Sequence, residues 1–308
     1  MRDDIPKVWI ESALNGAWGR DRQPAIPISV AEIIADGVAA AKAGAAIVHL
    51  HAYDAVTGRQ RDTYEIYAPI IEGIRAQVDA IVYPTLPISG ADHAGERRSA
   101  RERYEHVERL ARSGLLEWAV IDPGSAVFTR FDQIARGEAG TTYLNPDEHF
   151  LEGMRIAAQY GVRPSYAIYE AGCARLGAAT AAAMPKVPVP VYRLMFATEF
   201  CFGFPPKASY LETYLDLLDE LDPGAPWMVA GLGLDIRPLI APAVARGGHI
   251  RVGLEDRPWG VRETNRALVE EAVRLVQAAG GQPASPAEVR AACAAADVTL
   301  KRGTASTT

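Results

Sequence analysis

The chain has 308 residues, of which 49% are hydrophobic and 23% charged, and its formal net charge is −6. This length allows one large domain or two ordinary ones, and the composition is that of a globular protein. The acidic balance excludes a nucleic-acid binder held by phosphate neutralisation, because no excess of basic residues exists to displace counterions.

The expected setting of the chain is cytoplasmic. The apolar stretches are interrupted well before the ~18 residues that a membrane helix needs, so we expect no membrane segment. The first residues, Met1 to Pro6, lack the apolar core of a secretory signal. Cys173, Cys201 and Cys293 lie far apart and form no CxxC pair, which is typical of a protein with reduced thiols.

Strands and helices alternate along the sequence. Nearly continuous apolar runs predict eight strands that are covered on both faces, at 8–14, 46–52, 80–86, 118–122, 165–170, 191–196, 227–232 and 250–254. A capping box from Ser29 to Glu32 begins the first predicted helix, and Gly44 ends it. Further helical patterns follow the other strands, at 64–78, 97–113, 146–160, 171–184, 207–221, 236–246 and 262–279, with Asn145 as the expected N-cap of the helix at 146–160.

Eight strand–helix repeats predict a (β/α)8 TIM barrel, which is an α/β fold. We expect one domain over residues 1–308, with a frayed tail from about 301. A doubly wound open sheet is the alternative, but residues 13–19 do not spell the glycine-rich phosphate loop that such a sheet usually carries.

Two segments are longer than barrel connections require, namely 123–145 and the aromatic run at 197–206. Both follow the carboxyl ends of predicted strands, where barrel active sites form, so they could cover a ligand. Packing against a neighbouring subunit is the other interpretation, and the two are compatible.

The sharpest local motif is His49-Leu50-His51 on the second predicted strand. Residues i and i+2 of a strand face the same side, so both imidazoles are expected at the barrel mouth. Such a pair is a natural beginning of a Zn²⁺ site, although two hydrogen-bonded core histidines would give the same pattern.

The last predicted strand carries the second motif. Alternation places Arg251, Gly253 and Glu255 on one face, with Asp256 adjacent. The last strand of a closed barrel lies close to the second, so Glu255 could complete a metal site with one open position. The alternative is a structural Arg–Glu pair that closes the barrel.

Several of these stretches resemble the β-keto acid cleavage enzymes. The similarity is carried by residues 13–17 (ALNGA), 43–52 (AGAAIVHLHA), 227–233 (WMVAGLG) and 247–256 (GGHIRVGLED). The resemblance implies a TIM barrel that is a homo-oligomer, with a tetramer favoured. It also implies Zn²⁺, or another divalent metal, held by His49, His51 and Glu255, and a base formed by Asp256 acting with Arg251.

The implied reaction joins a β-keto acid to acetyl-CoA and then cleaves the product, which releases acetoacetate and a new acyl-CoA. A Lewis acid, a nearby base and room for a long thioester are the physical requirements. Two other functions stay open: a CoA-independent metal-dependent C–C lyase, and a barrel that binds a keto acid without catalysis.

The chain departs from the family pattern around the expected substrate. Trp18 replaces an acidic residue that meets an amino group in the prototype, so a neutral or apolar substrate side chain is favoured. Thr85 and Ser125 keep substrate-binding positions. Further departures lie at Pro84, Asp122, Leu234 and the run 198–202. They leave open which substrate is bound and whether acetyl-CoA is used.

Two further groups of polar residues are expected to lie at the surface or at helix ends. We expect His93, His106 and His149 to lie at the surface or to cap helices. A basic cluster begins the third helix and is expected to form a solvated face, with contact to CoA phosphates as the alternative; its members are Arg97, Arg98, Arg101 and Arg103.

Overall fold

The computed structural model describes residues 5–87 and 98–304, with side chains described as far as residue 299. The strands are β1 Lys7–Val8, β2 Ile10–Ala13, β3 Ile47–Leu50, β4 Ile81–Pro84, β5 Trp118–Val120, β6 Ala126–Phe128, β7 Thr141–Tyr143, β8 Arg163–Ile168, β9 Val191–Ala197, β10 Trp227–Leu232, β11 His249–Val252 and β12 Gln282–Pro283. The helices are α1 Val30–Ala43, α2 Tyr64–Arg75, α3 Ala100–Arg103, α4 Glu105–Arg112, α5 Phe131–Arg136, α6 Asp147–Tyr160, α7 Ala171–Ala183, α8 Ala208–Leu221, α9 Arg237–Ala245, α10 Asn265–Ala278 and α11 Pro286–Thr304.

The main sheet is parallel and has eight strands in the order β4-β3-β2-β11-β10-β9-β8-β5. No ladder joins its two end strands in the part of the chain that the structure describes, but the rings of Tyr83 and Trp118 lie 6.0 Å apart across that gap. The sheet is therefore nearly closed, and helices follow its strands in turn. The predicted TIM barrel is confirmed.

The register of the barrel brings β3 and β11 to either side of β2. Ala13 pairs with His49 on one side of β2, and Glu11 pairs with Arg251 on the other. Every residue of β2, β3 and β11 is buried. A closed barrel covers both faces of each strand, which explains the continuous apolar runs of the sequence.

Helix boundaries agree with the predicted ones except at two places. The capping box of Ser29 and Glu32 is present, and Gly44 caps the end of α1. Pro146, not Asn145, is the N-cap of α6, since the amide of Asn145 instead donates to the carbonyl of Gly124. The predicted helix at 97–113 is divided at Tyr104 into α3 and α4.

Five elements were missed, namely β6, β7, α5, β12 and α11. The first four are short segments, which give weak periodicity. The segment after β5 forms a small antiparallel hairpin of β6 and β7, with the short helix α5 between them. β1 pairs with β12, which ties the start of the described chain to the segment before α11. α11 continues to Thr304, beyond the point where fraying was expected.

The interpretation of three polar side chains at the third helix and α6 was wrong. His106, His149 and Arg103 are buried, not at the surface. Arg103 donates to the carbonyls of Pro87 and Leu144, and His106 hydrogen-bonds the Thr85 carbonyl at 2.9 Å. Strand-end carbonyls have no ladder partner, so buried donors satisfy them.

Arg101 is exposed, as expected of a solvated face, and Arg98 is half-buried. Arg97 and His93 lie outside the described residues. Among the helices that the structure describes, none is both long and apolar enough to cross a membrane.

The turn after β11 depends on Gly253. Its φ is +148°, and a Cβ built there would lie 2.0 Å from the carbonyl oxygen of Ala13. Only glycine lets the backbone pass so close to β2 before the chain turns toward Glu255. The close approach therefore fixes where the last strand delivers its carboxylates.

We expect Gly253→Ala to lower the free energy of unfolding by about 3 kcal/mol, because it adds backbone strain and a steric clash. Urea unfolding measures the loss. Gly172→Ala is the control, since that glycine begins α7 and has open space around it among the described atoms. Equal stability of the two variants would contradict this role for Gly253.

Candidate active site

Three metal-ligand side chains meet at the carboxyl ends of β3 and β11. The Nε2 atoms of His49 and His51 each lie 3.4 Å from an oxygen of Glu255. One possible ligand atom from each residue can be chosen so that all lie within 4.8 Å of one another, and all three residues are buried. The three side chains that the sequence predicted as ligands do lie together, although His51 follows β3 and Glu255 lies in the turn after β11.

The atoms that face one another in this triad lack ordinary partners. His51 Nε2 and Glu255 Oε2 are buried and accept or donate no hydrogen bond among the described residues. Buried polar atoms are almost always satisfied, so two orphaned atoms of this kind point to a missing group. Two imidazoles and a carboxylate are a donor set suited to Zn²⁺.

A further layer of side chains orients His51. Its Nδ1 lies 2.9 Å from Gln60 Oε1, and Gln60 in turn donates to Asp62 at 2.8 Å. The Asn15 side chain holds the backbone of His51 by accepting from its N–H and donating to its carbonyl. A metal-ligating histidine is usually fixed through its second nitrogen in this way.

Arg251 lies at the centre of a buried ionic cluster. Its guanidinium contacts Glu11 at 3.1 Å, Glu255 at 2.9 Å and both oxygens of Asp256 at 2.8 and 2.9 Å. Tyr83 donates to the same oxygen of Glu11 at 2.8 Å. Three carboxylates against one guanidinium leave two net negative charges when all are ionised.

Burial and these charges set the protonation of the cluster. Burial lowers the pKa of His49 well below its usual range, so its imidazole is neutral and free to act as a ligand. Burial alone would raise the pKa of Glu255, but Arg251 and the two histidines lower it well below its ordinary value. Burial raises the pKa of Asp256 to about 6, against the opposing charge of Arg251.

A cavity opens above the triad at the barrel mouth. Of the residues expected to bind substrate, Trp18 and Thr85 line it. Ser125 is exposed, and its Oγ accepts from the backbone N–H of Asn145 at 2.8 Å. Asp256 lies behind Arg251, beside Leu234 in a separate small pocket, and not among the described residues that line the cavity.

A second buried ion pair lines the same cavity. Asp122 contacts Arg193 at 3.1 Å and accepts hydrogen bonds from Tyr143 and from the backbone of Ala167. Burial raises the pKa of Asp122, and the charge of Arg193 opposes that shift. Asp122, one of the departures from the family pattern, is therefore already paired with Arg193.

Sequence reasoning missed Arg193 and Glu11. Each lies within a buried strand, β9 and β2 respectively, and each side chain faces the barrel interior. A lone charge in an apolar strand is costly unless it is paired. A charged residue in each apolar strand therefore indicated a buried ion pair, but it could not identify the partner residue.

Aromatic side chains close the cavity from above. The two long segments meet there, since Phe128 and Phe200 lie 5.9 Å apart and Arg130 bridges to Phe200 through backbone pairing. Trp18 packs on Phe200 at 6.2 Å and on Trp259 at 5.4 Å. The Trp18 indole donates to the Glu255 carbonyl, so it presents its ring, not a polar atom, to the cavity.

Comparisons with known proteins identify the family of the chain. A sequence profile described as beta-keto acid cleavage enzyme matches residues 7–294. The chain is 27% identical over 304 residues to 3-dehydrocarnitine:acetyl-CoA trimethylamine transferase of Rhizobium meliloti (strain 1021). This alignment covers 92% of this chain and 95% of that protein. It is 28% identical over 293 residues to 3-keto-5-aminohexanoate cleavage enzyme of Fusobacterium nucleatum subsp. nucleatum, which covers 93% of this chain and 97% of that protein.

A solved complex of ObcA with oxaloacetate has a similar fold, with a TM-score of 0.68 and 18% identity over 87% of this chain and 67% of that chain. The family profile spans the barrel from β1 into α11 and includes the triad and Arg251. The chain therefore belongs to the β-keto acid cleavage enzyme family.

Proposed function

We propose that the protein transfers carbon units between a β-keto acid and acetyl-CoA. In the balanced reaction, R–CO–CH2–COO⁻ and acetyl-CoA give R–CO–S-CoA and acetoacetate. The observation that carries the proposal is the triad of His49, His51 and Glu255 beside Arg251 in a closed-over cavity. The names of the two relatives given above describe reactions related to this one, and one of these names includes acetyl-CoA.

The triad fits a divalent metal, with Zn²⁺ the preferred occupant. The nitrogen and oxygen donors suit zinc, and a dication offsets the two negative charges of the neighbouring Arg251 cluster. When bound, such an ion supplies Lewis-acid polarisation of a keto group, which acidifies the adjacent carbon. His49, His51 and Glu255 would hold it.

We assign the proton acceptor to Asp256, acting with Arg251. The guanidinium lines the cavity, where it attracts the substrate carboxylate, while Asp256 lies directly behind it. For Asp256 to take the proton from the carbon between the two carbonyl groups, it must release Arg251 when substrate binds. Asp122 lines the cavity directly and is the rival proton acceptor, although both of its carboxylate oxygens already accept hydrogen bonds from protein donors.

The lining favours a substrate with a neutral or apolar side chain. Trp18 presents its ring to the cavity, and Phe128, Tyr169 and Leu232 continue that apolar wall. Thr85 contributes a hydroxyl at the rim of β4. A cationic amino group would find no unpaired carboxylate among the cavity residues that the structure describes, since Asp122 and Glu255 are both engaged.

We also propose a homo-oligomer, with a tetramer favoured. The β6–α5 segment exposes Val127, Phe131 and Ile134 by 53%, 57% and 56%, which is an unusual cluster of exposed apolar side chains. Light scattering measures the assembly, and the mass of a single chain would contradict this proposal.

We place the protein in the cytoplasm. Cys173 and Cys293 are buried free thiols and Cys201 is an exposed one, which suits a reducing compartment. Cell fractionation tests the location, and recovery outside the cytoplasmic fraction would contradict it.

His49→Ala is expected to abolish metal binding, because it removes one ligand of the triad. Gln60→Ala is expected to weaken metal affinity by roughly 10- to 100-fold, since it frees the ring of His51. Elemental analysis and competition with a chelator measure both effects. Full zinc occupancy in His49→Ala would overturn the assignment of the ligands.

Asp256→Asn is expected to keep its metal and to lose turnover by roughly 100-fold or more, because general base catalysis is worth that much. Asp122→Asn is the matched variant, since it neutralises the rival carboxylate of the same cavity. We measure kcat for both with metal content as the check. Loss of turnover in Asp122→Asn alone would move the base to Asp122.

The function itself is tested by a screen of β-keto acids with acetyl-CoA, in which acetoacetate is measured. We expect at least one substrate with an uncharged side chain to react only when acetyl-CoA is present. Cleavage that proceeds equally well without acetyl-CoA would favour a metal-dependent lyase instead. Binding of keto acids with no turnover would favour a non-catalytic barrel.

A further inference from the structure

We propose that the open cleft beside the cavity binds the nucleotide end of a CoA thioester, with Arg59 and Arg98 contacting its phosphates. This inference rests on the proposed use of acetyl-CoA and adds where that molecule lies. The cleft has a volume of about 930 Å³, near the upper end of the range for small-molecule sites. It runs between the chain after β2 and the turn that follows His51.

The cleft leads directly to the triad. Ala17 and Trp18 line both the cleft and the cavity, so they form the wall that the two spaces share. Gln60 lines the cleft with one side of its chain and hydrogen-bonds His51 with its amide oxygen. A long thioester lying in the cleft would therefore bring its acyl end to the side of the cavity where His51 and Glu255 lie.

Three of the six charged groups in the described lining of the cleft are engaged with protein partners. Arg61 donates to Asp54 at 2.8 Å, and Asp62 accepts from Gln60 and from the hydroxyl of Tyr67. These contacts are internal to the turn and hold its shape. They leave few charges available to a ligand.

Arg59 and Arg98 differ from Arg61 in having no ion-pair partner in the described part of the chain. Neither forms an ion pair with any carboxylate in residues 5–87 or 98–299, and both line the cleft. Asp21, on the other wall, is the one acid of the lining that is not engaged in an ion pair or side-chain hydrogen bond within the same part of the chain. The described lining holds three arginines and three aspartates, so its formal net charge is zero. Arg59 and Arg98 are the two cations of this lining without an ion-pair partner, and guanidinium groups suit phosphate oxygens better than any other side chain.

The turn that carries Arg59 is fixed before any ligand arrives. Asp54 accepts hydrogen bonds from the backbone of Val56 and Thr57, and Tyr53 pairs with Gln60 across the turn. Arg59 projects from this turn next to Gly58. Because the backbone at Arg59 is already ordered, binding has to order only its exposed side chain.

The test compares the wild-type protein with the double variant Arg59→Ala/Arg98→Ala, using CoA as the probe in calorimetry. We expect the Kd for CoA to rise about tenfold or more, since each charged contact is worth about three- to tenfold. The KM for acetyl-CoA should rise in parallel, while turnover with a short acetyl thioester that lacks the nucleotide should not change. Arg112→Ala is the control for loss of an exposed arginine outside the cleft, because Arg112 lies in the last turn of α4, at the opposite end of the barrel.

The outcomes separate this proposal from the proposed function. Weaker CoA binding in the double variant alone supports the cleft, even if no keto acid reacts. Equal CoA affinity in all three proteins overturns the cleft, and so does a wild-type protein that binds no CoA. Acetoacetate formation from acetyl-CoA together with equal affinities would leave the proposed function intact and place the CoA elsewhere.

Discussion

The site depends on one guanidinium that is buried among three carboxylates. Arg251 contacts Glu11, Glu255 and Asp256, and its exposure is 1%. Removing either side of a buried ion pair costs about 3–5 kcal/mol, because the remaining charge is left without compensation. The cluster is unbalanced even when intact, since it carries two excess negative charges when all three carboxylates are ionised. A divalent cation held by His49, His51 and Glu255 would remove that excess, so the ionic cluster and the metal site form one electrostatic unit.

The barrel makes this unit possible by register. β2 lies between β3 and β11, and its Glu11 faces Arg251 on one side while Ala13 is level with His49 on the other. Gly253 lets β11 approach β2 closely and then turn, so that Glu255 lies over the histidines. Of the candidate metal ligands, His49 lies on β3, His51 follows that strand and Glu255 lies in the turn after β11. Hydrogen bonds from Asn15 and Gln60 hold His51, and Arg251 holds Glu255. The segments above these ligands supply aromatic side chains to the cavity.

The sequence predicted the barrel and the triad because both follow from periodicity. Continuous apolar runs predict strands that are covered on both faces, and the i, i+2 rule places His49 and His51 on one side. The pairing of Asp122 with Arg193 could not be predicted, because the two residues lie 71 positions apart and only the closed sheet brings them together. The burial of Arg103 and His106 was missed for a related reason. Their partners are loop carbonyls, which leave no trace in the pattern of side chains.

The positions of Ser125 and Asp256 were also outside the reach of the sequence. Ser125 and Asp256 each follow a barrel strand, yet neither is among the described residues that line the cavity.

The most direct test of the central claim is anomalous diffraction at the zinc edge, from crystals of the zinc-loaded protein. Our account predicts one strong peak within coordination distance of His49, His51 and Glu255. Zinc bound at another position, with that triad empty, would contradict it.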